Sequence, residues 1–305
     1  MTWQAGASTL RVVWTRGRGC RELAGLLAGT EAPRVQGDPM AACVSERADL
    51  LVSRRVQTSF DLIDVAAPID IEPDGVEAVV AAVGGGPHSV LAARVAHRLG
   101  EALAVPASMV SAYPSDGDAS QAEEVVKEIY PLVPDIDYRT LPTSGMSELV
   151  ASLPERSLLV FGAPGGSWLQ RHVSGPGARL RSRAAAGAVV VRSAPRRVFQ
   201  AMREPVFVAP MLHVQDTLRI TSEETLAVAD AGLLVGLVRR SDLAERSGDT
   251  PVGEAMEEPL SISLTDPLEA ARALEPLFGP DPIPVIDDDG HLVGGLVLAD
   301  DSQAG

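Results

Sequence analysis

Residues 158–193, LLVFGAPGGSWLQRHVSGPGARLRSRAAAGAVVVRS, constrain the fold more than any other stretch of the chain. Two short apolar runs, 158–161 and 188–191, enclose a glycine-rich loop and an arginine-bearing segment of helical composition. The stretch therefore reads as strand, loop, helix, strand. Gly162 and Gly165 follow the first strand directly, and Gly175 stands just ahead of a helix expected to begin near Ala178. Glycines there let backbone N–H groups approach an anion, and a helix N-terminus adds partial positive charge.

Upstream, the apolar run 75–83 ends in Gly84-Gly85-Gly86-Pro87, after which Leu91, Val95, Leu99 and Leu103 recur at helical spacing. Residues 106–113 supply the next strand, and Ser120 with Glu123 predicts a capping box for a helix over 120–130. A short strand at 137–141 and a helix over 143–153 complete an alternation of strands and helices. Such alternation demands right-handed crossovers and so a parallel, doubly wound α/β sheet. Ligands on these sheets sit beyond the carboxyl ends of the strands, where both glycine loops fall.

The spacing G-x2-G-x9-G at Gly162, Gly165 and Gly175 resembles the nucleotide-binding signature of the universal stress protein family, a HUP-type fold. The resemblance covers roughly residues 77–193. It implies an adenine nucleotide held by Gly84, Gly85, Phe161, Gly162, Gly165, Gly175, Pro176 and Gly177. Two positions depart from the ATP-binding pattern: Gly84 stands where that pattern has an acidic residue, and Pro176 where it has Ser or Thr. Losing a hydroxyl and an N–H to charged phosphate costs roughly 1.5 to 3 kcal/mol each. The loop GGGPHS, 84–89, also resembles the pyrophosphate loop of ATP pyrophosphatases, with Gly84 for Ser and His88 for Asp. That resemblance implies an adenylating enzyme, but no nucleophile pairing, general base or metal cluster accompanies it, and the five histidines are scattered.

A second resemblance lies beyond residue 205. The stretch 250–301 resembles a CBS module, the small β-α-β-β-α unit that pairs to bind adenosyl ligands, and 206–243 resembles a shortened first copy. Within the second copy, Asp266 and Pro267 fit N-cap and N1 of its helix, Glu269 fits N3, and 287–290 makes a hairpin turn. Repeats of this kind bury their apolar face only by pairing. Nucleotide-holding copies end in G-x-x-T-x-x-D, whose aspartate accepts hydrogen bonds from both ribose hydroxyls. The pattern aligns Gly236, Arg239 and Asp242 in the first copy and Gly294, Val297 and Asp300 in the second. Both threonines are replaced, but the aspartates carry the larger part of ribose recognition, roughly 1.5 to 3 kcal/mol per charged hydrogen bond. The alternative is that these aspartates cap the helix after each strand.

The expected organisation is thus a short α/β segment over 1–75, a universal-stress-like domain over 76–195, and a C-terminal α+β CBS pair over 205–305, split near 205–246 and 250–305. The first segment reads as β-α-α-β, either an accessory layer extending the next sheet or a truncated relative of it; 60–75 reads as a connection and 194–205 as a solvated linker, with a phosphate site at Arg192, Arg196, Arg197 and Arg203 as the alternative. A net charge of −15 would repel a phosphate backbone and argues against nucleic acid as partner. Cys20 and Cys43 lack metal-type spacing, and no apolar run is long enough to cross a bilayer, so a cytoplasmic protein without a metal site is expected. The function expected from the two resemblances is regulatory binding of an adenosine-containing ligand such as AMP, ADP or ATP, in a homodimer and without turnover. A scaffold with vestigial nucleotide sites is the alternative.

Overall fold

The computed structural model describes residues 10–17, 19–54, 64–67, 73–163 and 186–298. It divides into two compact units, Met1–Ala194 and Pro195–Gly305.

The first unit is organised by β4 (Ala78–Val83), six buried apolar residues in a row. Successive side chains of a strand point to opposite faces. Val79, Ala81 and Val83 accordingly enter one core, and Val80 and Ala82 another. A strand without a polar face needs cover on both sides. On one side α1 (Cys20–Ala28), α3 (Pro87–Leu103) and α4 (Ser120–Ile129) supply Leu23, Leu27, Leu91, Val95, Leu99, Val126 and Ile129. On the other, α5 (Met146–Ala151) supplies Leu149.

The remaining strands are β1 (Val12–Trp14), β2 (Leu50–Val52), β3 (Asp64–Ala67), β5 (Ala107–Pro114), β6 (Asp137–Thr143), β7 (Ser157–Gly162) and β8 (Ala188–Arg192). They form one eight-stranded sheet in the order β1-β2-β3-β8-β7-β4-β5-β6. All neighbours are parallel except β3 and β8. From β4 the chain winds outward through β5 and β6, then returns to the other side of β4 for β7 and β8. The sheet is doubly wound, and its direction reverses between β4 and β7.

Two local expectations are corrected in this unit. Residues 60–75 are not merely a connection, because β3 lies within them and joins β2 to β8. Ser120 does not cap α4: the N-cap is Ala119, and Asp118 accepts both the Ser120 N–H and its hydroxyl. Asp118 thus takes the Ser120 amide that the capping box assigned to the Glu123 side chain, and the Glu123 N–H donates to Ala119 O instead. Near the chain's start, the Arg11 guanidinium makes two bonds to Asp49, at 3.1 and 2.9 Å, and ties the beginnings of β1 and β2 together.

The second unit contains two copies of one small motif. β9 (Phe207–Val208), α7 (Val214–Ile220), β10 (Thr225–Asp230), β11 (Leu233–Arg239) and α8 (Arg240–Ala244) form the first; α6 (Val198–Ala201) precedes them. β12 (Ile262–Ser263), a 3-10 turn (Leu268–Ala273), α9 (Glu275–Phe278), β13 (Ile283–Ile286) and β14 (Leu292–Leu296) form the second. Each copy has a three-stranded sheet with one parallel and one antiparallel pair, and one register shift in its hairpin. The helix expected from Asp266 is broken. Pro276 lacks an N–H and its ring collides with the carbonyl four residues back, so the 3-10 turn ends and α9 starts afresh at Glu275. Asp266 does not cap it; its carboxylate accepts the Ser263 N–H at 3.1 Å instead.

Residues 194–205 are likewise no solvated linker, since Val198 and Phe199 are fully buried. They begin a string V-x-x-A-M-x-E-P that occurs at 198–205 and again at 252–259. The two strings are arms that dock reciprocally. Val198 N donates to Asp266 O and Val252 N to Leu212 O; Phe199 N donates to Leu264 O and Gly253 N to Pro210 O. Arg203 exchanges backbone bonds with Gly295, and Glu257 with Leu237. The hairpin turns repeat the relation, with Leu234 N on Gly290 O and Leu292 N on Gly232 O. Each arm thus crosses the other copy, giving the unit a pseudo-twofold axis and burying faces that neither copy could bury alone.

Candidate functional site

Where the first sheet reverses, the loop after β4 bonds to itself and packs against the end of β7 and the residue after β8. Gly86, at φ 77° and ψ 178°, makes the turn into α3 in a conformation open to glycine, and Gly85 also has positive φ. Gly84 N donates to the Ser89 hydroxyl at 3.0 Å, and that hydroxyl donates to Gly85 O at 2.9 Å. The loop amide that a phosphate would take is bound internally. At the end of β7, a Cβ on Gly162 would lie 2.7 Å from Cβ of His88, so glycine is needed there to seat the histidine. The His88 ring continues to β8, where Nδ1 accepts the Ser193 N–H at 3.1 Å. Burial, and then the nearby Arg192 charge, hold His88 below its ordinary pKa of about 6.5, so the neutral acceptor form is favoured.

Gly84, Gly85, Phe161 and Gly162 do converge on the carboxyl ends of β4 and β7, as the spacing predicts. Phe161 is buried in the second core. Gly165, Gly175, Pro176 and Gly177 lie outside the described residues. The GGGPHS loop also brings in His88 and Ser89, and what the sequence left open is their role: they bond the loop to itself and to Ser193.

In the second unit the glycines of the two aligned patterns have a packing role. A Cβ on Gly236 would meet Met256 Sδ at 2.9 Å and Glu257 O at 2.9 Å. A Cβ on Gly294 would meet Met202 Sδ at 2.8 Å and Arg203 O at 3.0 Å. Each is the floor on which the other copy's arm rests. The repeated A-M-x-E-P string was the signal for this arrangement.

The end of β11 carries the more open chemistry. Thr225 pairs with Arg239, an exposed residue that is the N-cap of α8. The Arg240 guanidinium turns back onto Thr221 O at 2.6 Å and Leu218 O at 3.2 Å, satisfying carbonyls at the end of α7. Glu224 O accepts Arg240 N at 2.8 Å, and Glu224 Oε1 accepts Ser241 N at 3.3 Å. Asp242, partly buried in the first turn, accepts only the Ser241 hydroxyl, at 3.3 Å, among the described residues. It is not the helix cap, because Arg239 holds the cap position and Glu224 serves the first-turn amide. Most of its acceptor capacity faces no protein donor.

In the second copy, Val297 is 36% exposed and Asp300 lies outside the described residues. Among the described residues, one group of side chains has metal-type grouping: Asp287, Asp289 and His291, in the β13–β14 turn. Asp287 Oδ1 there accepts the Asp289 and His291 amides, at 3.0 and 2.8 Å, the bonds of a tight turn. No helix among the described residues is long and apolar enough to cross a membrane.

No protein family and no curated protein matches the chain. The solved structures similar to it are CBS domain pairs, matched to its C-terminal part. The CBS domains of a transcriptional regulator from Streptococcus pneumoniae are 18% identical, over 33% of this chain and 92% of that one, with a TM-score of 0.30. A CBS domain pair/ACT domain protein from Thermotoga maritima is 22% identical over 35% and 94%, with a TM-score of 0.32. CBSX2 in complex with AMP is 28% identical over 35% and 94%, with a TM-score of 0.30.

Proposed function

We propose that the chain is a regulatory protein whose second unit binds an adenosine-containing ligand, such as AMP, ADP, ATP or a similar adenosyl compound, without turning it over. The observation that carries this reading is Asp242. A partly buried carboxylate at the carboxyl end of β11, released from capping duty and met only by its neighbour's hydroxyl, suits the two hydroxyls of a ribose. Arg239, exposed beside it, supplies a cation for an anionic substituent. In this reading Asp300 has the same task in the second copy. Exposed Met211 and Ile220 are surface that a homodimer would cover. A reducing cytoplasm suits Cys20 and Cys43, both free and buried, with burial pushing their thiols up to about 11 and about 12.

A scaffold role is favoured for the first unit by one specific observation: the Gly84 amide is bound by the Ser89 hydroxyl, and His88 packs on Gly162 at the end of β7. The experiment for the second unit is thermal unfolding of the full chain with adenosine, S-adenosylmethionine, AMP, ADP and ATP, followed by titration of the best ligand. Asp242→Ala is expected to weaken it by roughly 1.5 to 3 kcal/mol, about ten- to a hundredfold. Equal affinity in the variant would remove the site, and no binding by the wild type would leave the scaffold reading for the whole chain.

A further inference from the structure

Among the described residues of the second unit, Asp281 is the one strongly buried carboxylate, 8% exposed, and it belongs to the second copy. Its two oxygens accept backbone amides of the first copy: Oδ2 from Thr225 at 2.7 Å and Oδ1 from Glu224 at 3.3 Å. Those two residues are the foundation of the Asp242 seat. Thr225 begins β10 and pairs with the cap residue Arg239, while Glu224 receives Arg240 N on its carbonyl and Ser241 N on its carboxylate. The next residue is Asp242. One carboxylate from the second copy therefore fixes, through Glu224 and Thr225, the first turn that presents the ribose acceptor of the first.

The clamp is one-sided, and the register shows why. Leu226 pairs with Val238 and Ala227 with Leu237 in the first hairpin, as Ile283 pairs with Leu296 and Pro284 with Gly295 in the second. Leu226 and Ile283 are thus equivalent, so Thr225 corresponds to Pro282 and Glu224 to Asp281 itself. Pro282 has no N–H to donate. The pseudo-twofold axis therefore cannot return the Thr225 half of the clamp.

Resting on the reading above, we propose that Asp281 is the positioning residue of the first-copy ligand seat and ties occupancy of that seat to the second copy. A ligand on Asp242 orders the first turn of α8, Glu224 and Thr225, and this order reaches β13 through Asp281, which stands two residues before Ile283.

The test uses the full chain, adenosine as probe, calorimetric titration and backbone amide exchange, on wild type, Asp281→Ala and Asp281→Asn. Asp281→Ala is expected to lose about tenfold or more in adenosine affinity, because two charge-assisted bonds that hold the seat are gone. Asp281→Asn, which retains one acceptor and the side-chain shape, recovers part of that loss and serves where the alanine variant does not fold. Adenosine should slow exchange of the Ile283, Val285 and Ile286 amides in wild type and leave them unchanged in Asp281→Ala. A merely structural role would lower stability without removing that ligand-dependent protection. Wild-type affinity in both variants, or equal β13 protection in Asp281→Ala, overturns the inference and leaves the Asp242 site standing. Absence of adenosine binding to the wild type overturns the ligand reading itself.

Discussion

His88 shows how one side chain can decide what a crevice is for. Its Cβ takes the space above Gly162, and its Nδ1 fastens Ser193 at the end of β8. Only the neutral ring accepts that bond, and burial with Arg192 nearby disfavours the cation. The folded pKa lies below the unfolded one, so between the two the unfolded chain binds more protons and stability rises with pH. The contribution is complete above about 6.5 and is lost as pH falls from there through the lowered folded value. Thermal unfolding from pH 8 to pH 5 should show this acid-side loss, diminished in His88→Asn, whose Oδ1 can take the place of Nδ1. An identical pH profile in the variant would contradict it. At this scale the sequence was legible as far as residue type: glycine is required at 85 by a positive φ and at 162 by the His88 side chain, and that second neighbour is spatial rather than sequential.

The elements that organise the second unit are its two arms. Gly236 and Gly294 occupy matching places, each beneath a methionine and a backbone carbonyl from the other copy's arm. A carbonyl at 2.9 or 3.0 Å from the new Cβ cannot yield as the tip of a flexible side chain would. Gly236→Ala and Gly294→Ala should each destabilise the unit by about 1 to 3 kcal/mol, the usual cost of overpacking. Both should lower Tm of the second transition by several degrees. Unchanged Tm in either would mean that its arm does not rest on the glycine. Helix periodicity located α3 and α4 because apolar spacing is a local signal. It failed over 266–278, where Pro276 interrupts an otherwise helical pattern.

For the whole molecule, the boundary between the units decides what can stand alone. The contact division falls between Ala194 and Pro195, ahead of the arm, whereas composition alone suggested a second domain from residue 205. A fragment of residues 195–305 should fold, and one of 206–305 should be unfolded or far less stable. The shorter piece lacks Val198 and Phe199, both at 0% exposure, and removing a buried Phe alone costs about 3 to 5 kcal/mol. Domains of this size have a total stability of about 5 to 15 kcal/mol. Equal Tm for the two fragments, by calorimetry or circular dichroism, would contradict the arm's role. The sequence by itself determined the doubly wound sheet, the placement of Gly84 and Gly162 at the carboxyl ends of β4 and β7, and the repeated β-α-β-β motif. All three follow from apolar periodicity and turn residues, which act over a few neighbours along the chain. Only the tertiary structure decided that β3 closes the sheet against β8, that His88 packs on Gly162 and bonds Ser193, and that Asp281 of one copy accepts the Glu224 and Thr225 amides of the other. Those outcomes depend on which distant residues meet, and a hydrogen-bonding carboxylate or imidazole has the same local signature whichever partner it finds.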